Sequence, residues 1–206
     1  MSPKQVDPSM RVQLVEAAAQ IIATDGLAGL TLRRLTREVG TSTMAIYTHF
    51  GSMDELRHAI RREGFARMGA RFQAIELTDD PVADLSRQGW AYWRNAVENP
   101  NLYRAMFMHG GIDDPGAAVG ETTFDMLVAA VQRCLDTARF TPAEPRALAV
   151  QLWSMVHGIC SLYVNEMLSE PEAIEALGGN FVALMAVFGD DAEATRRSVA
   201  GASDMT

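Results

Sequence analysis

Apolar residues along this chain recur at spacings of three and four, which is the period of one face of an α-helix. The first such segment follows Ser9 and ends at Gly26, and its apolar positions are Leu14, Val15, Ala18, Ile21 and Ile22. Serine suits the position before a helix and glycine the position just past its end. Because similar segments continue along the chain without the alternation typical of strands, the pattern predicts an all-α protein of about nine helices.

Cap and proline signals divide this helical pattern. Ser52 and Glu55 have the capping-box spacing and start a helix that runs to about Phe72. Asp80-Pro81 and Thr141-Pro142 each have a capping residue followed by proline, which needs no N–H partner in the first helical turn. The predicted divisions are a three-helix unit at 1–51, a connecting helix at 52–73, a larger helical body at 74–189 and a flexible, small and polar tail at 190–206.

The stretch GTSTMAIYTHF, residues 40–50, predicts a turn led by glycine and a second short helix. At about 100° per residue, Ile46 and Phe50 share one face of that helix and can pack on Leu35 and Val39 of the helix before it. Two short helices joined in this way form a helix-turn-helix, whose second helix can enter the major groove of DNA. A small helical hairpin with a solvated face is the alternative.

The outward side chains of the second helix are small or flat and can form hydrogen bonds. Ser42 and Thr43 can contact base edges or phosphates, Met44 a thymine methyl group and Tyr47 a phosphate. Arg33, Arg34 and Arg37 on the preceding helix add charges that can position the DNA backbone. The pattern therefore indicates double-stranded DNA as a partner.

Residues 29–56, GLTLRRLTREVGTSTMAIYTHFGSMDEL, resemble the DNA-binding domain of the tetracycline-repressor (TetR) family. The family pattern is matched at Thr31, Leu35, Gly40, Ser42, Ile46, Tyr47, His49, Phe50, Ser52 and Leu56. The resemblance implies DNA contacts from Arg33, Ser42, Thr43, Met44, Tyr47, Thr48 and His49. Two departures remove phosphate contacts: Met53 stands where the family usually has lysine, and only Lys4 and Arg11 precede the helix-turn-helix as basic residues.

The body is rich in aromatic residues and methionine without catalytic spacing. The resemblance implies a mostly apolar cavity there, and the candidate ligand-binding residues are Trp90, Trp93, Met106, Phe107, Trp153 and His157. Methionines around indoles suit a small hydrophobic or aromatic effector. The segment Trp153–Gly158 resembles a Trp-x-x-x-His-Gly element of one branch of the family, in which His157 would orient a ligand. Each of these residues can instead belong only to the core.

A stripe of small or polar residues on the eighth helix, Gln151, Ser154, Gly158, Ser161 and Asn165, would let another helix approach closely. Together with Phe181, Leu184, Met185 and Phe188 on the last predicted helix, this stripe is the candidate interface of a homodimer built from four helices. Packing of the stripe within one subunit is the alternative.

Composition and charge indicate the compartment of the protein and the part of the chain that can bind DNA. Of the 206 residues, 48% are apolar, and the longest apolar runs are too short to span a membrane. Cys134 and Cys160 have no metal or redox spacing. We therefore expect a cytoplasmic protein with no membrane segment. The net charge is −8. Residues 1–72 hold ten Lys and Arg against seven Asp and Glu, and the remainder holds eight against nineteen. Only the first third is therefore suited to a polyanion.

These features predict a DNA-binding transcriptional regulator, a homodimeric repressor that an effector releases from a palindromic operator. A helical carrier of apolar molecules is an alternative. An all-α enzyme is another, with the paired acids Asp79-Asp80, Asp113-Asp114 and Asp190-Asp191 as its best candidates. These pairs form no metal-binding motif and mostly precede proline, so we expect no enzymatic activity, cofactor or metal.

Overall fold

The computed structural model describes residues 8–108 and 117–203, and these contain ten helices and no strand. The all-α prediction is confirmed, with one helix more than expected. The helices are α1 (Pro8–Gly29), α2 (Leu32–Val39), α3 (Thr43–Phe50), α4 (Met53–Gln73), α5 (Pro81–Glu98), α6 (Pro100–Met108), α7 (Ala117–Asp136), α8 (Pro145–Val164), α9 (Glu170–Val187) and α10 (Ala192–Ser203).

The chain divides into two compact units. The first unit is Met1–Arg67 with Asn99–Gly120, and the second unit is Met68–Glu98 with Glu121–Thr206. This division differs from the predicted boundary at residue 51, because α6 belongs to the same unit as the N-terminal helices.

The core of the first unit is apolar and draws on five helices. Leu35 of α2, Ile46 of α3 and Ile60 of α4 are almost fully buried in one cluster with the inward face of α1. Leu102 and Ala105 of α6 complete the same cluster. Burial of several large aliphatic side chains, each contributing about 1.5–3 kcal/mol, holds these short helices together, since helices of eight residues are not stable alone.

Polar side chains fix the ends of the short helices. The Thr31 hydroxyl accepts the N–H of Arg34 at 3.3 Å, and the Ser42 hydroxyl accepts the N–H of Ala45 at 3.3 Å. Gly40, between α2 and α3, has φ = 70°, a left-handed conformation that glycine adopts without strain. These caps and this turn set the angle between the two helices.

Arg67 forms ion pairs and a hydrogen bond with residues in three parts of the first unit. Its guanidinium pairs with Glu16 of α1 and with Glu63 of α4, where Nε donates to the carboxylate at 2.9 Å. It also donates to the Asn99 side chain at 2.8 Å, directly before α6. The polar network therefore links α1, α4 and the start of α6, three of the five helices that form the apolar core.

The second unit is built around α5, which is buried on almost every side and contacts α8 and α10. At Gly89 the ring of Phe181 from α9 occupies the space that a Cβ atom would need. The Asp80 carboxylate accepts the N–H groups of Val82 and Ala83, both at 3.1 Å, and so caps α5 as the sequence predicted.

The prediction of a flexible tail is wrong, because Ala192–Ser203 forms α10, which contacts α5 and α9. Asp190 is buried and accepts two hydrogen bonds from Arg139, from Nε at 2.6 Å and from Nη2 at 2.8 Å. The Ser198 hydroxyl of α10 donates to Asp80 at 2.6 Å. Ion pairs and hydrogen bonds thus hold in place a segment whose small and polar composition predicts flexibility.

The eighth helix begins later than predicted. The N–H and the hydroxyl of Thr141 both donate to the carbonyl of Phe188, at 2.9 and 3.0 Å, and this residue lies before the start of α8 at Pro145. Instead, Glu144 caps α8 by accepting the N–H of Ala147 at 2.6 Å, with Pro145 in the first turn.

Within the described residues, one helix passes the length and composition test for a membrane span. It is α8, which is partly buried inside the protein. The core helices of soluble proteins pass the same test, and α8 contacts both α5 and α9.

Candidate functional site

The solvent face of α3 carries two large exposed side chains. Met44 is 70% exposed and Tyr47 is 47% exposed, whereas Ile46 and Phe50 on the opposite face are buried. Ser42 and Thr43, at the start of the helix, are exposed as well, and so is Thr48. These side chains form one continuous surface, as the helical spacing predicted.

Some of the predicted DNA-contacting groups already have a local role. The Ser42 hydroxyl caps α3, and the Thr48 hydroxyl donates to the carbonyl of Met44 at 2.8 Å. His49 is half-buried, and its Nδ1 atom has no hydrogen-bond partner among the described residues. The capping bond uses an acceptor of Ser42 and leaves its hydroxyl proton available to another group.

The arginines near α3 differ in their surroundings. Arg33 and Arg37 are exposed on α2, whereas Arg34 forms an ion pair with Asp25 of α1. The guanidinium of Arg11 lies 5.3 Å from the centre of the Phe50 ring, within the range of a cation–π contact at the C-terminal end of α3. Met53, at the position where lysine was expected, packs against the apolar core instead.

In the second unit, His157 lies in an aromatic cluster. Its Nδ1 atom is 2.9 Å from the hydroxyl of Tyr92, and its ring centroid is 5.7 Å from that of Trp153. The Trp153 ring in turn meets Phe124 edge-on at 5.9 Å. Burial lowers the pKa of His157, so the neutral imidazole is favoured. The sequence did not reveal Tyr92, whose partner lies 65 residues further along the chain.

The two tryptophans of α5 have different environments. Trp93 is buried and its ring centroid lies 4.7 Å from that of Tyr163 on α8. Trp90 is 8% exposed, and in the described part of the chain its Nε1–H has no hydrogen-bond partner. A buried donor without a partner is costly and is suited to an acceptor supplied by a ligand or a water molecule.

Met106 and Phe107, the other predicted ligand-binding residues, belong to the first unit. Met106 is 1% exposed and fills the space beside Gly64. Phe107 meets Phe65 edge-on at 5.8 Å and lies 5.1 Å from Tyr103, measured between ring centroids. The structure thus gives these two residues extensive packing partners.

The predicted dimer surface is partly wrong. Phe181 and Phe188 are 1% and 4% exposed, because Phe181 packs over Gly89 and Phe188 meets Phe140 at 5.3 Å. Phe181 on α9 and Phe188 directly after it therefore face inward and are unavailable to a partner; Leu184 is half-buried. On α8, by contrast, Ser154 and Asn165 are exposed and Gly158 and Ser161 half-exposed. The exposed large apolar side chains of these helices are Val150, Trp153, Leu162, Ile174 and Val187.

A helix-turn-helix with an outward α3, followed by an all-α body, defines a class of DNA-binding proteins. The sequence profile of bacterial regulatory proteins of the tetR family matches residues 14–60. The profile of the tetracyclin repressor-like C-terminal domain matches residues 85–185. The chain therefore belongs to the TetR family, whose members are DNA-binding regulators rather than enzymes and typically act as dimers.

Individual relatives agree with this family membership. The transcriptional repressor AcnR of Corynebacterium diphtheriae is 36% identical over 83 residues, which cover 39% of this chain and 44% of AcnR. The chain thus matches less than half the length of that relative. The regulator PfmR of Thermus thermophilus shares the fold with a TM-score of 0.72 at 19% identity, over 84% of this chain and 97% of PfmR. RolR in complex with resorcinol has a TM-score of 0.63 at 15% identity, over 93% of both chains.

Proposed function

We propose that the protein is a sequence-specific transcriptional repressor that binds a palindromic DNA operator as a homodimer. The observation that carries the proposal is the solvent face of α3. Met44 and Tyr47 lie three residues apart on this face, exposed by 70% and 47%. Large apolar side chains exposed together on a short helix indicate a surface that another molecule covers.

The proposed roles follow from the chemistry of each side chain. Met44 contacts a thymine methyl group, and Thr43 and Ser42 contact base edges or phosphates at the start of α3. Tyr47 donates its hydroxyl proton to a phosphate, and Arg33 binds the backbone from α2. Thr48 and His49 lie at the end of the same surface and complete it.

The proposed dimer uses the outward faces of α8 and α9. Gly158 on α8 and Gly178 on α9 have open space where a side chain would stand, so a second helix can approach closely at both points. Val150 and Leu162 on α8 and Ile174 and Val187 on α9 add exposed apolar side chains to the same two helices. Ser154, Ser161 and Asn165 then supply hydrogen bonds within this interface.

The proposed effector is a small aromatic or hydrophobic molecule that binds in the body. The aromatic cluster of Trp153, His157 and Tyr92 and the partnerless Nε1–H of Trp90 support this choice, because they combine apolar walls with polar groups. RolR, which has the same fold, was solved with the aromatic diol resorcinol. We propose Trp90, Trp93, Trp153 and His157 as ligand contacts in the second unit; Met106 and Phe107 belong to the first unit and are not part of this proposal.

The proposed mechanism is a change in the spacing of two α3 helices. A palindromic site requires them to be about 34–36 Å apart, one turn of the double helix. An effector that binds more tightly to a subunit arrangement with another spacing weakens DNA binding, and DNA weakens effector binding by the same factor. The protein would act in the cytoplasm, where its operator lies.

Fluorescence anisotropy with labelled DNA from upstream of the protein's own gene tests the proposal. We expect saturable binding that Tyr47→Ala weakens at least tenfold and that falls steeply as salt rises, because phosphate contacts release counterions. Leu77→Ala is the control, since it also removes a large exposed side chain but belongs to the second unit, in the segment between α4 and α5. Equal binding by all three proteins would contradict the proposal and favour a carrier of apolar molecules.

A further inference from the structure

Arg34 differs from the other two arginines of α2 because an acidic side chain holds it. Asp25, near the end of α1, pairs with Nη2 of Arg34 in the first turn of α2. The two side chains are 44% and 34% exposed, so the pair lies at the surface. In the part of the chain that the structure describes, neither Arg33 nor Arg37 forms an ion pair with an acidic side chain.

The local structure prepares Asp25 for this contact. The hydroxyl of Thr24 lies 2.9 Å from the same carboxylate oxygen, and its proton is shared between this oxygen and the carbonyls of Gln20 and Ile21. Hydrogen bonds from Thr24 and Arg34 lower the pKa of Asp25, so the group is ionised at neutral pH. A Cβ atom at position 29 would collide with Cβ of Asp25, and Gly29 thus leaves room for the pair.

The position of the pair connects it with DNA binding. Arg34 lies in the first turn of α2, the end of a helix at which N–H groups and the helix dipole attract phosphate. In a helix-turn-helix, the first helix of the motif crosses the DNA backbone. If Arg34 left Asp25 for a phosphate, an unpaired carboxylate would remain beside the polyanion, and its repulsion would offset the attraction between Arg34 and the phosphate.

We propose that Asp25 holds Arg34 away from the phosphates, so that α2 binds the DNA backbone through Arg33 and Arg37 alone. This inference rests on the DNA binding proposed above. Its consequence concerns affinity: phosphate contacts strengthen binding to every sequence, whereas the contacts of α3 depend on the bases. By withdrawing one arginine, Asp25 lowers affinity for operator and unrelated DNA alike, and the choice of site stays with α3.

Asp25→Asn in the full-length protein tests the proposal. Asparagine keeps the size of the side chain and removes its charge, so Arg34 becomes available to a phosphate. Anisotropy is measured with a duplex of unrelated sequence and with the upstream DNA, at salt concentrations from about 50 to about 200 mM. We expect the slope of log affinity against log salt to steepen by about 0.9 on both duplexes, equal to one added phosphate contact.

Glu38→Gln is the matched control. Glu38 is exposed on α2, and its substitution makes the same change in net charge without releasing an arginine. Arg34→Ala is then introduced into the wild type and into the Asp25→Asn protein. Loss of Arg34 should reduce the slope by about one contact more in the Asp25→Asn protein than in the wild type.

Three results would overturn the proposal. Equal steepening by Glu38→Gln would assign the effect to net charge. An unchanged slope for Asp25→Asn with a lower melting temperature would make the pair a structural contact between α1 and α2, and the proposed DNA binding would stand. No binding of either duplex by the wild type, at any salt concentration in the range, would overturn both this inference and the proposed function.

Discussion

At the scale of single residues, the pair formed by Tyr92 and His157 makes the stability of the protein depend on pH. Burial lowers the pKa of His157 in the folded state below its ordinary value of 6.5. The unfolded chain therefore binds more protons than the folded one as pH falls through about 6.5. The free energy of unfolding should accordingly decrease below that pH and stay level for this group above it.

Urea unfolding at about pH 5.5 and about pH 7.5 measures this dependence. His157→Gln should remove part of the difference in unfolding free energy between the two pH values. His58→Gln is the control, because His58 lies near Glu55, at 3.6 Å, in the first unit. If the two variants reduced the difference equally, the dependence would not come from the buried imidazole.

Individual residues also show what a sequence can predict about a site. The exposed positions of α3 follow from helical spacing alone, since Ile46 and Phe50 fix the buried face and Met44 and Tyr47 must lie opposite. The contact between Tyr92 and His157 joins α5 to α8, and the pair of Asp25 with Arg34 crosses a turn. Such contacts depend on how helices pack, which spacing within one helix does not determine.

At the scale of elements, α10 is held by charge. Arg139 links two carboxylates, Asp80 and Asp190, and it donates two hydrogen bonds to the buried Asp190. Arg139→Met should lower the free energy of unfolding by about 3–5 kcal/mol, because the carboxylate of Asp190 would stay buried without a charged partner, with the Thr195 hydroxyl still donating to it. Differential scanning calorimetry or urea unfolding measures the loss.

Arg197→Met is the control for this prediction. Arg197 lies on α10 and pairs with Glu193 one turn away, but its side chain is 67% exposed. An exposed pair of this kind contributes about 0.3–0.5 kcal/mol. If both variants lost similar amounts of unfolding free energy, the stabilisation by Arg139 would not depend on the burial of its partner Asp190.

The same helix explains why the sequence predicts a flexible tail where the chain is ordered. Its inward face consists of Thr195, Ser198, Val199 and Ala202, at spacings of three and one that match a helix. Three of the four side chains are small or polar, so an apolar pattern does not reveal the face. In α9 the prediction fails in the opposite direction, because the apolar spacing of Phe181 and Phe188 marks a core face and says nothing about a partner subunit.

At the scale of the whole molecule, the proposed dimer predicts an effect of bulk at Gly158. A side chain there meets open space in the single chain, so the fold should tolerate Gly158→Arg. In the proposed dimer the same arginine would enter the contact between helices. We expect sedimentation velocity to shift from dimer towards monomer while the far-ultraviolet circular dichroism spectrum stays unchanged.

Leu77→Arg supplies the comparison, since Leu77 is exposed outside α8 and α9. It should sediment as the wild type does. If the Gly158→Arg protein were still a dimer, the interface would lie elsewhere on the chain. If the wild type were a monomer, two subunits could not bind the two half-sites of the operator as proposed.

The contribution of α6 to the core of the first unit limits how the protein can be engineered. Leu102 and Ala105 are 1% and 4% exposed in the same cluster as Leu35 and Ile46. A chimera that transplanted only residues 1–51 would leave an unfilled gap where these side chains belong, as large-to-small substitutions do in other cores. The part of the chain that must be exchanged to direct such a regulator to a new promoter is therefore not continuous in sequence, because it includes α6. A chimera that keeps the recipient's α6 needs an α6 surface that packs against the donor's α1.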